Sequence, residues 1–231
     1  MINFSNFENE IDIVFKDKNL LKQAFIHRSY INENNNTGFS HNERLEFLGD
    51  AVLELVVTDF LYRKYPNYAE GELTAIRSAL VNAIIISEVA ASLKINDYLL
   101  LSKGEAKDNG KARQYILANT FEALIGAIYL DTGYEKADKF IKAFLLPKTE
   151  EIVAKKLWRD SKSLVQEKAQ EYVGYTPSYK VVNETGPDHD KYFTVGIFFG
   201  NEKIAEGKGK SKQEAEQKAA ENALKAKAWF D

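Results

Sequence analysis

The sequence predicts two domains, an all-α domain followed by a small α-β-β-β-α domain. Three observations carry that reading. Apolar residues recur at spacings of three and four up to about residue 158. Alternation with a period of two then replaces that pattern after residue 176. A capping signature finally opens an alanine-rich segment close to the end of the chain. The expected boundaries are 1–157 for the helical domain, 158–160 for a linker and 161–231 for the smaller domain.

The helical period is explicit in Leu20, Leu21, Ala24 and Phe25, in Leu45, Leu48, Val52 and Leu55, and in Phe121, Leu124, Ile125 and Ile128. Polar segments over Asn32–Gly38, Lys64–Glu72 and Lys103–Lys111 separate these runs. Pro147 suits the first position of a last helix running towards Leu157, where a missing N–H costs nothing. Ser161–Tyr172 then reads as a helix. Pro177–Asn183 and Tyr192–Phe199 read as strands, the second with Phe193, Val195, Ile197 and Phe199 on one side. Lys203–Glu206 is a third strand after a turn at Gly200 and Asn201. Ser211 and Glu214 have capping-box spacing, and Ala215, Ala219 and Ala223 lie on one face of the helix they open, so that it can approach the sheet closely.

Composition narrows the function classes. The 231 residues are 45% hydrophobic and 28% charged, which is ordinary for a globular chain. No cysteine is present, so disulfides and thiolate metal sites are excluded. The start of the chain lacks the basic and then apolar regions of a signal peptide. The most apolar run, Leu80–Val89, is too short for a bilayer and is interrupted by Asn82, Ser87 and Glu88. A soluble, cytoplasmic protein without a membrane partner is the expectation. The net charge of −3 decides nothing, because a basic face is compatible with an acidic total. No glycine-rich phosphate loop occurs, so no nucleotide cofactor is expected.

Chemistry concentrates in the segment from His41 to Leu53. On a helix Glu43, Glu46 and Asp50 stack along one face, although like charges at this spacing repel. Apolar neighbours such as Leu45, Phe47, Leu48 and Val52 should raise that cost by desolvation. Periodicity alone leaves two readings equally open: a solvated acidic stripe with Arg44 in partial compensation, or a site for a hard divalent cation, Mg2+ or Mn2+. Gly49 tilts the balance. Glycine inside a helix costs about 1 kcal/mol against alanine, which points to close approach by a backbone, a ligand or a partner. In a second helical segment Asn119 and Glu122 share a face within an otherwise small or apolar run.

Asn42–Leu53 closely resembles the signature of bacterial ribonuclease III. Ala24–Tyr30, Glu70–Leu73, Arg77–Val81 and Ile116–Asp131 resemble further segments of that family in the same order, and Ser161–Lys225 resembles its double-stranded-RNA-binding domain. The resemblance implies an all-α endonuclease domain followed by that RNA-binding domain. By position it assigns Glu46, Asp50 and Glu122 as catalytic, metal-binding carboxylates. Glu43 and Glu70 become residues lining the cleavage valley, and Phe47 an apolar knob entering a socket on the other subunit of a homodimer. The implied reaction is Mg2+-dependent hydrolysis of double-stranded RNA, with Mn2+ as a substitute. Its products have 5′-phosphate and 3′-hydroxyl ends with a short 3′ overhang, and its implied role is maturation of rRNA and mRNA precursors.

One position departs from the pattern: Asn119 stands where the family usually has aspartate. An amide oxygen still coordinates Mg2+, directly or through water, but it brings no charge and cannot act as a base. Asn119 is therefore counted in the metal shell, and a weakly catalytic or non-catalytic double-stranded-RNA-binding relative is the alternative. A structural, ribosome-associated relative is a more remote one. His27 and His41 read as packing or helix-end residues rather than as acid–base catalysts. For RNA, the resemblance points to Gln166 and Glu167, with Ser163 alongside, in one minor groove and to His189 in the next. Lys210, Ser211 and Lys212, helped by Lys218, would meet the phosphates between them at a helix N-terminus. Such a surface reads A-form shape over about 16 base pairs rather than sequence. Gln213, where a second lysine is common, would lower affinity and soften the salt dependence.

Overall fold

A computed structural model describes residues 3–34, 38–107, 110–155, 158, 161–187 and 191–229. The chain divides into two compact units, 1–158 and 159–231. Among the described residues no single helix is long and apolar enough to cross a membrane.

The first unit is helical: α1 (Ser5–Ile11), α2 (Lys18–Ala24), α3 (Arg28–Glu33), α4 (Glu43–Lys64), α5 (Glu70–Leu80), α6 (Ala83–Ser92), α7 (Lys111–Thr132), α8 (Tyr134–Phe144) and α9 (Lys148–Ala154). Two short 3-10 turns, Ile95–Tyr98 and Glu105–Lys107, lie between α6 and α7. Local chemistry sets the helix starts. Asp17 accepts from the N–H groups of Asn19 and Leu20 at the start of α2, and Asn82 accepts from Ile84 and Ile85 at the start of α6. His27 caps α3 through Nδ1, which accepts from Ser29 N–H at 3.3 Å, so it is the helix-end residue the sequence suggests. Pro147 has helical dihedrals but stands one position before α9. Leu157, the expected end of that helix, lies outside the described residues.

The core of this unit is the packing of two 22-residue helices, α4 and α7. Between Ile116 and Ile128 every residue of α7 is buried except Asn119 and Glu122, which are half-buried. A helix so nearly apolar all round belongs at the centre of a domain. Around it pack α2, α4, α6 and α8. Across α4, Leu45, Gly49, Val52, Leu53, Val56, Val57 and Leu61 face inwards.

The close approach that Gly49 implies is to another backbone. A Cβ on Gly49 would fall inside the van der Waals shell of the Glu122 carbonyl oxygen and 2.9 Å from Gly126 N. A Cβ on Gly126 would strike the Leu45 carbonyl in the same way and lie 3.2 Å from Gly49 N. The two glycines face each other across one helix crossing. The entry of α4 into it is fixed by Asn42, which is 3% exposed. Its side-chain amide donates to the Ala24 carbonyl at 3.0 Å and its backbone N–H donates to Ile26 at 2.9 Å.

The second unit contains α10 (Ser161–Val173), β1 (Ser178–Thr185), β2 (Tyr192–Phe199), β3 (Glu202–Gly209) and α11 (Lys212–Ala226). The strands form one antiparallel sheet in the order β1-β2-β3. β1 and β3 extend beyond the alternating runs that predict them, because backbone pairing with β2 continues through polar residues. Gly200 takes φ 61° at the β2–β3 turn. Val165, Ala169, Ile197, Phe199, Ala219, Ala220, Ala223 and Leu224 form the core, and Trp229 stacks on Phe199 at 5.6 Å. The alanine face does bring α11 close to the sheet, and β3 answers it with glycines. A Cβ on Gly209 would lie 2.7 Å from Ala215 N, and one on Gly207 would strike Ala215 O.

The crossing yields a stability prediction. Gly49→Ala and Gly126→Ala should each cost about 1–3 kcal/mol or more, because the helices must separate to admit a methyl group. Gly71→Ala on α5, where nothing lies within 4 Å, should be neutral or stabilising by up to about 1 kcal/mol. Urea unfolding of the three variants checks this; equal effects at Gly49 and Gly71 would remove the crossing as the constraint.

Candidate active site and RNA-binding surface

The glycine crossing decides which side chains meet. It sets the first two turns of α4, bearing Glu43, Glu46 and Asp50, against the middle of α7, bearing Asn119 and Glu122. The exposures grade along this group: Glu43 and Asp50 are exposed, and Glu46, Asn119 and Glu122 are half-buried. Of the apolar residues around the acidic stripe, Leu45 and Val52 turn into the core while Phe47 is exposed. Desolvation falls on Glu46 and Asp50 of the stripe and most heavily on Glu122, across the crossing.

The electrostatics follow from that placement. Burial, then the charges of Asp50 and Glu46, pushes the Glu122 carboxyl up to about 7. Glu46 is raised by burial and by Glu43, against a hydrogen bond with Asn119 that lowers it, with Asp50 adding a smaller upward push. Asp50 is raised by burial and by the neighbouring Glu54. Glu46, Asp50 and Glu122 thus sense one another across two helices, while the Asn119 side chain meets Glu46 without adding a fourth charge.

The donor set is three carboxylates and one amide, all hard oxygen ligands, which suits Mg2+ or Mn2+ and not a thiophilic metal. Among the described residues, no three His, Asp or Glu side chains already converge into a metal cage. The backbone brings the four side chains to one crossing, three of them half-buried and Asp50 exposed, without closing them into a cage.

Other sequence-derived residues fall in different places. Glu43 pairs with Arg28 at 3.4 Å and stands 3.8 Å from His41, so its compensation comes from the start of α3 as well as from any contribution of Arg44. Glu70 opens α5 and accepts from Thr74 at 3.1 Å. It lines a cavity of about 400 Å3 with Thr58, Leu61, Tyr62, Leu73 and Arg77. Thr58 is eight residues beyond Asp50, roughly 12 Å along α4, so Glu70 does not join the Glu46–Asp50–Glu122 group within one chain. Phe47 is 81% exposed, and Leu55 and Tyr62 further along α4 are 57% and 73% exposed. Glu54, exposed one turn beyond Asp50, was not among the expected residues, although its spacing continues the acidic stripe.

In the second unit Ser163, Gln166 and Glu167 are exposed together on α10, opposite buried Val165 and Ala169. Lys210, Ser211, Lys212 and Lys218 are exposed around the start of α11. Ser211 Oγ accepts from Glu214 N–H at 3.1 Å, completing half of the capping box. The Glu214 carboxylate reaches back one residue further than the motif requires, to Lys210 N–H at 2.8 Å. His189 lies outside the described residues.

The raised Glu122 has a consequence for stability. Its folded value of about 7 exceeds the ordinary 4.5, so the folded state holds the proton more tightly. Its contribution is complete below about pH 4.5 and is lost as pH rises through about 7. Metal-free protein should therefore lose thermal stability across that window more steeply than Glu122→Gln does. Parallel melting curves for the two proteins against pH would contradict the assignment.

The comparisons with known proteins agree with this arrangement. Residues 17–149 match the Ribonuclease-III-like family, and residues 161–227 match the double-stranded RNA binding motif. Ribonuclease 3 of Borreliella burgdorferi is 45% identical over 222 residues, covering 96% of this chain and 90% of that protein. Ribonuclease 3 of Protochlamydia amoebophila is 46% identical over 217 residues, covering 94% of this chain and 89% of that one. The crystal structure of the nuclease domain of ribonuclease III from Campylobacter jejuni aligns with a TM-score of 0.57 at 40% identity, covering 64% of this chain and 97% of that one. The helical unit with its acidic crossing and the α-β-β-β-α unit are thus the two parts of one known architecture, and the chain belongs to the ribonuclease III family.

Proposed function

We infer that the chain is an endoribonuclease that hydrolyses double-stranded RNA, and we propose that Glu46, Asp50, Asn119 and Glu122 hold the Mg2+ it uses, with Mn2+ as a substitute. The observation that carries the site is the grouping of Asn119 and Glu122, the only two positions of α7 between Ile116 and Ile128 that are not buried, with Glu46 and Asp50 on the α4 turns facing them. When bound, the cation would acidify a water, neutralise phosphate oxygens and stabilise the departing 3′ oxygen. The chain's residues supply the rest. Asp50, exposed, offers its carboxylate at the open side of the site. Glu122, raised to about 7, releases its proton readily once positive charge arrives. Asn119 steadies Glu46 through their hydrogen bond and leaves an amide oxygen able to coordinate.

Asn119 does not by itself favour a non-catalytic relative. The three carboxylates remain grouped, and the amide makes a contact with Glu46 that a like-charged aspartate would oppose. Products with 5′-phosphate and 3′-hydroxyl ends, a short 3′ overhang, and cytoplasmic maturation of rRNA and mRNA precursors belong to the same proposal.

The second unit supplies affinity for the duplex. We propose that Gln166, Glu167 and the Lys210–Lys212 segment make the contacts, in line with their shared exposure and the phosphate-attracting N-terminus of α11. We further propose a two-fold homodimer in which Phe47 is the knob. The exposure of Phe47 and the cavity between α4 and α5 support this reading, since two-fold symmetry would use a knob and a socket twice. One ribonuclease III nuclease domain from Campylobacter jejuni has been described for flexibility in its region involved in dimer formation.

Two tests follow. Asp50→Asn and Glu122→Gln should each abolish cleavage of a labelled RNA hairpin while its binding in a gel-shift assay changes by less than about tenfold, or 1.4 kcal/mol. Joint loss of cleavage and binding would sink the assignment of these residues to chemistry. Phe47→Ala should shift sedimentation towards monomer at low micromolar concentration, and an unaltered dimer would remove Phe47 from the interface.

A further inference from the structure

In the second unit two of the exposed lysines each stand over an aromatic ring. Lys210 Nζ lies 5.4 Å from the centroid of Tyr192, and Lys212 Nζ lies 5.6 Å from that of Phe193. Both distances fall within cation–π range. The rings come from the first two residues of β2, and Phe193 pairs across the sheet with Gly209, the residue before Lys210. The end of β3 and the start of α11 therefore hang over the start of β2.

Two neighbours of Lys212, a carboxylate and a ring, differ in what they leave for a ligand. Glu184, the neighbour of Phe193 on β1, stands 4.0 Å from Lys212 and 3.6 Å from Lys191. Its carboxylate competes with any phosphate for the same ammonium. A ring restrains the flexible lysine stem without cancelling its charge. Tyr192 is 41% exposed and lies outside the buried core of this unit.

We propose that Tyr192 and Phe193 are positioning residues for RNA binding, their rings holding the Lys210 and Lys212 ammonium groups where they meet phosphates of the duplex. The inference rests on the reading that these lysines grip phosphate. It explains why two aromatic residues open β2 beside a lysine-bearing helix start. It also assigns Tyr192 a role that core packing does not.

A double-mutant cycle on the full chain tests it, using an RNA duplex of about 20 base pairs, long enough for one binding domain, without divalent metal so that no cutting intervenes. Tyr192→Leu should weaken binding roughly two- to fivefold, the range of an exposed cation–π contact. Tyr192→Phe, which keeps the ring, should bind as the parent does. In a Lys210→Ala background, Tyr192→Leu should have no further effect, because the group it positions is gone. The Phe193→Leu and Lys212→Ala cycle should behave alike; since Phe193 is half-buried, the Tyr192 cycle decides if that variant melts early. Unchanged binding by Lys210→Ala and Lys212→Ala would overturn the reading underneath. Weaker binding by the lysine variants, with Tyr192→Leu costing nothing or the same amount in both backgrounds, would overturn the positioning role alone.

Discussion

The contact between Gly49 and Gly126 is the constraint on which the nuclease unit depends. No side chain separates α4 from α7 at that point, so the helices approach until each glycine meets the other's backbone. Every consequence for chemistry follows from this proximity. Glu46 and Asp50 flank Gly49 on one helix, and Glu122 precedes Gly126 by one turn on the other. A larger residue at either glycine would push the carboxylates apart as surely as it would open the core. The crossing thus joins stability and site geometry in a single contact.

The same contact concentrates negative charge where burial makes it costly. Burial first, and then neighbouring like charges, lifts Glu122 to about 7 and raises Glu46 and Asp50 in the same direction. A fold tolerates this when the strained group has work to do, and local rules are most often broken at such places. Asn119 relieves part of the repulsion by presenting an amide to Glu46. Asparagine is therefore compatible with the position on electrostatic grounds and need not signal a lost activity.

Much of this was legible in the residues, for identifiable reasons. Helical periodicity depends on local spacing, so α4, α7 and the change of pattern near residue 160 could be read directly. Gly49 announced a close approach because its helix cost demanded a reason, yet its counterpart Gly126 lay in a run so apolar that a small residue drew no notice. Tertiary pairings were less accessible. Asn42 tethers α4 to the Ala24 carbonyl, and Arg28 pairs with Glu43, through contacts that sequence distance hides. The sheet shows the same limit: β1 runs on to Thr185 and β3 to Gly209 because backbone ladders extend past the last alternating side chain. Glu70 shares the acidic composition of the site but opens α5 beside Thr58, further along α4 than Asp50, a separation that depends on how α5 folds back.

The central claim joins an acidic, metal-holding crossing to hydrolysis of paired RNA strands. The most direct measurement offers the protein an end-labelled RNA duplex, the same strand unpaired, and a DNA duplex of equal sequence, each with Mg2+ and with a chelator. Discrete short products carrying 3′ overhangs are expected from the RNA duplex with Mg2+, and no products in the other reactions. Cutting of the RNA duplex in the chelator, or none at any concentration of Mg2+ or Mn2+, would contradict it.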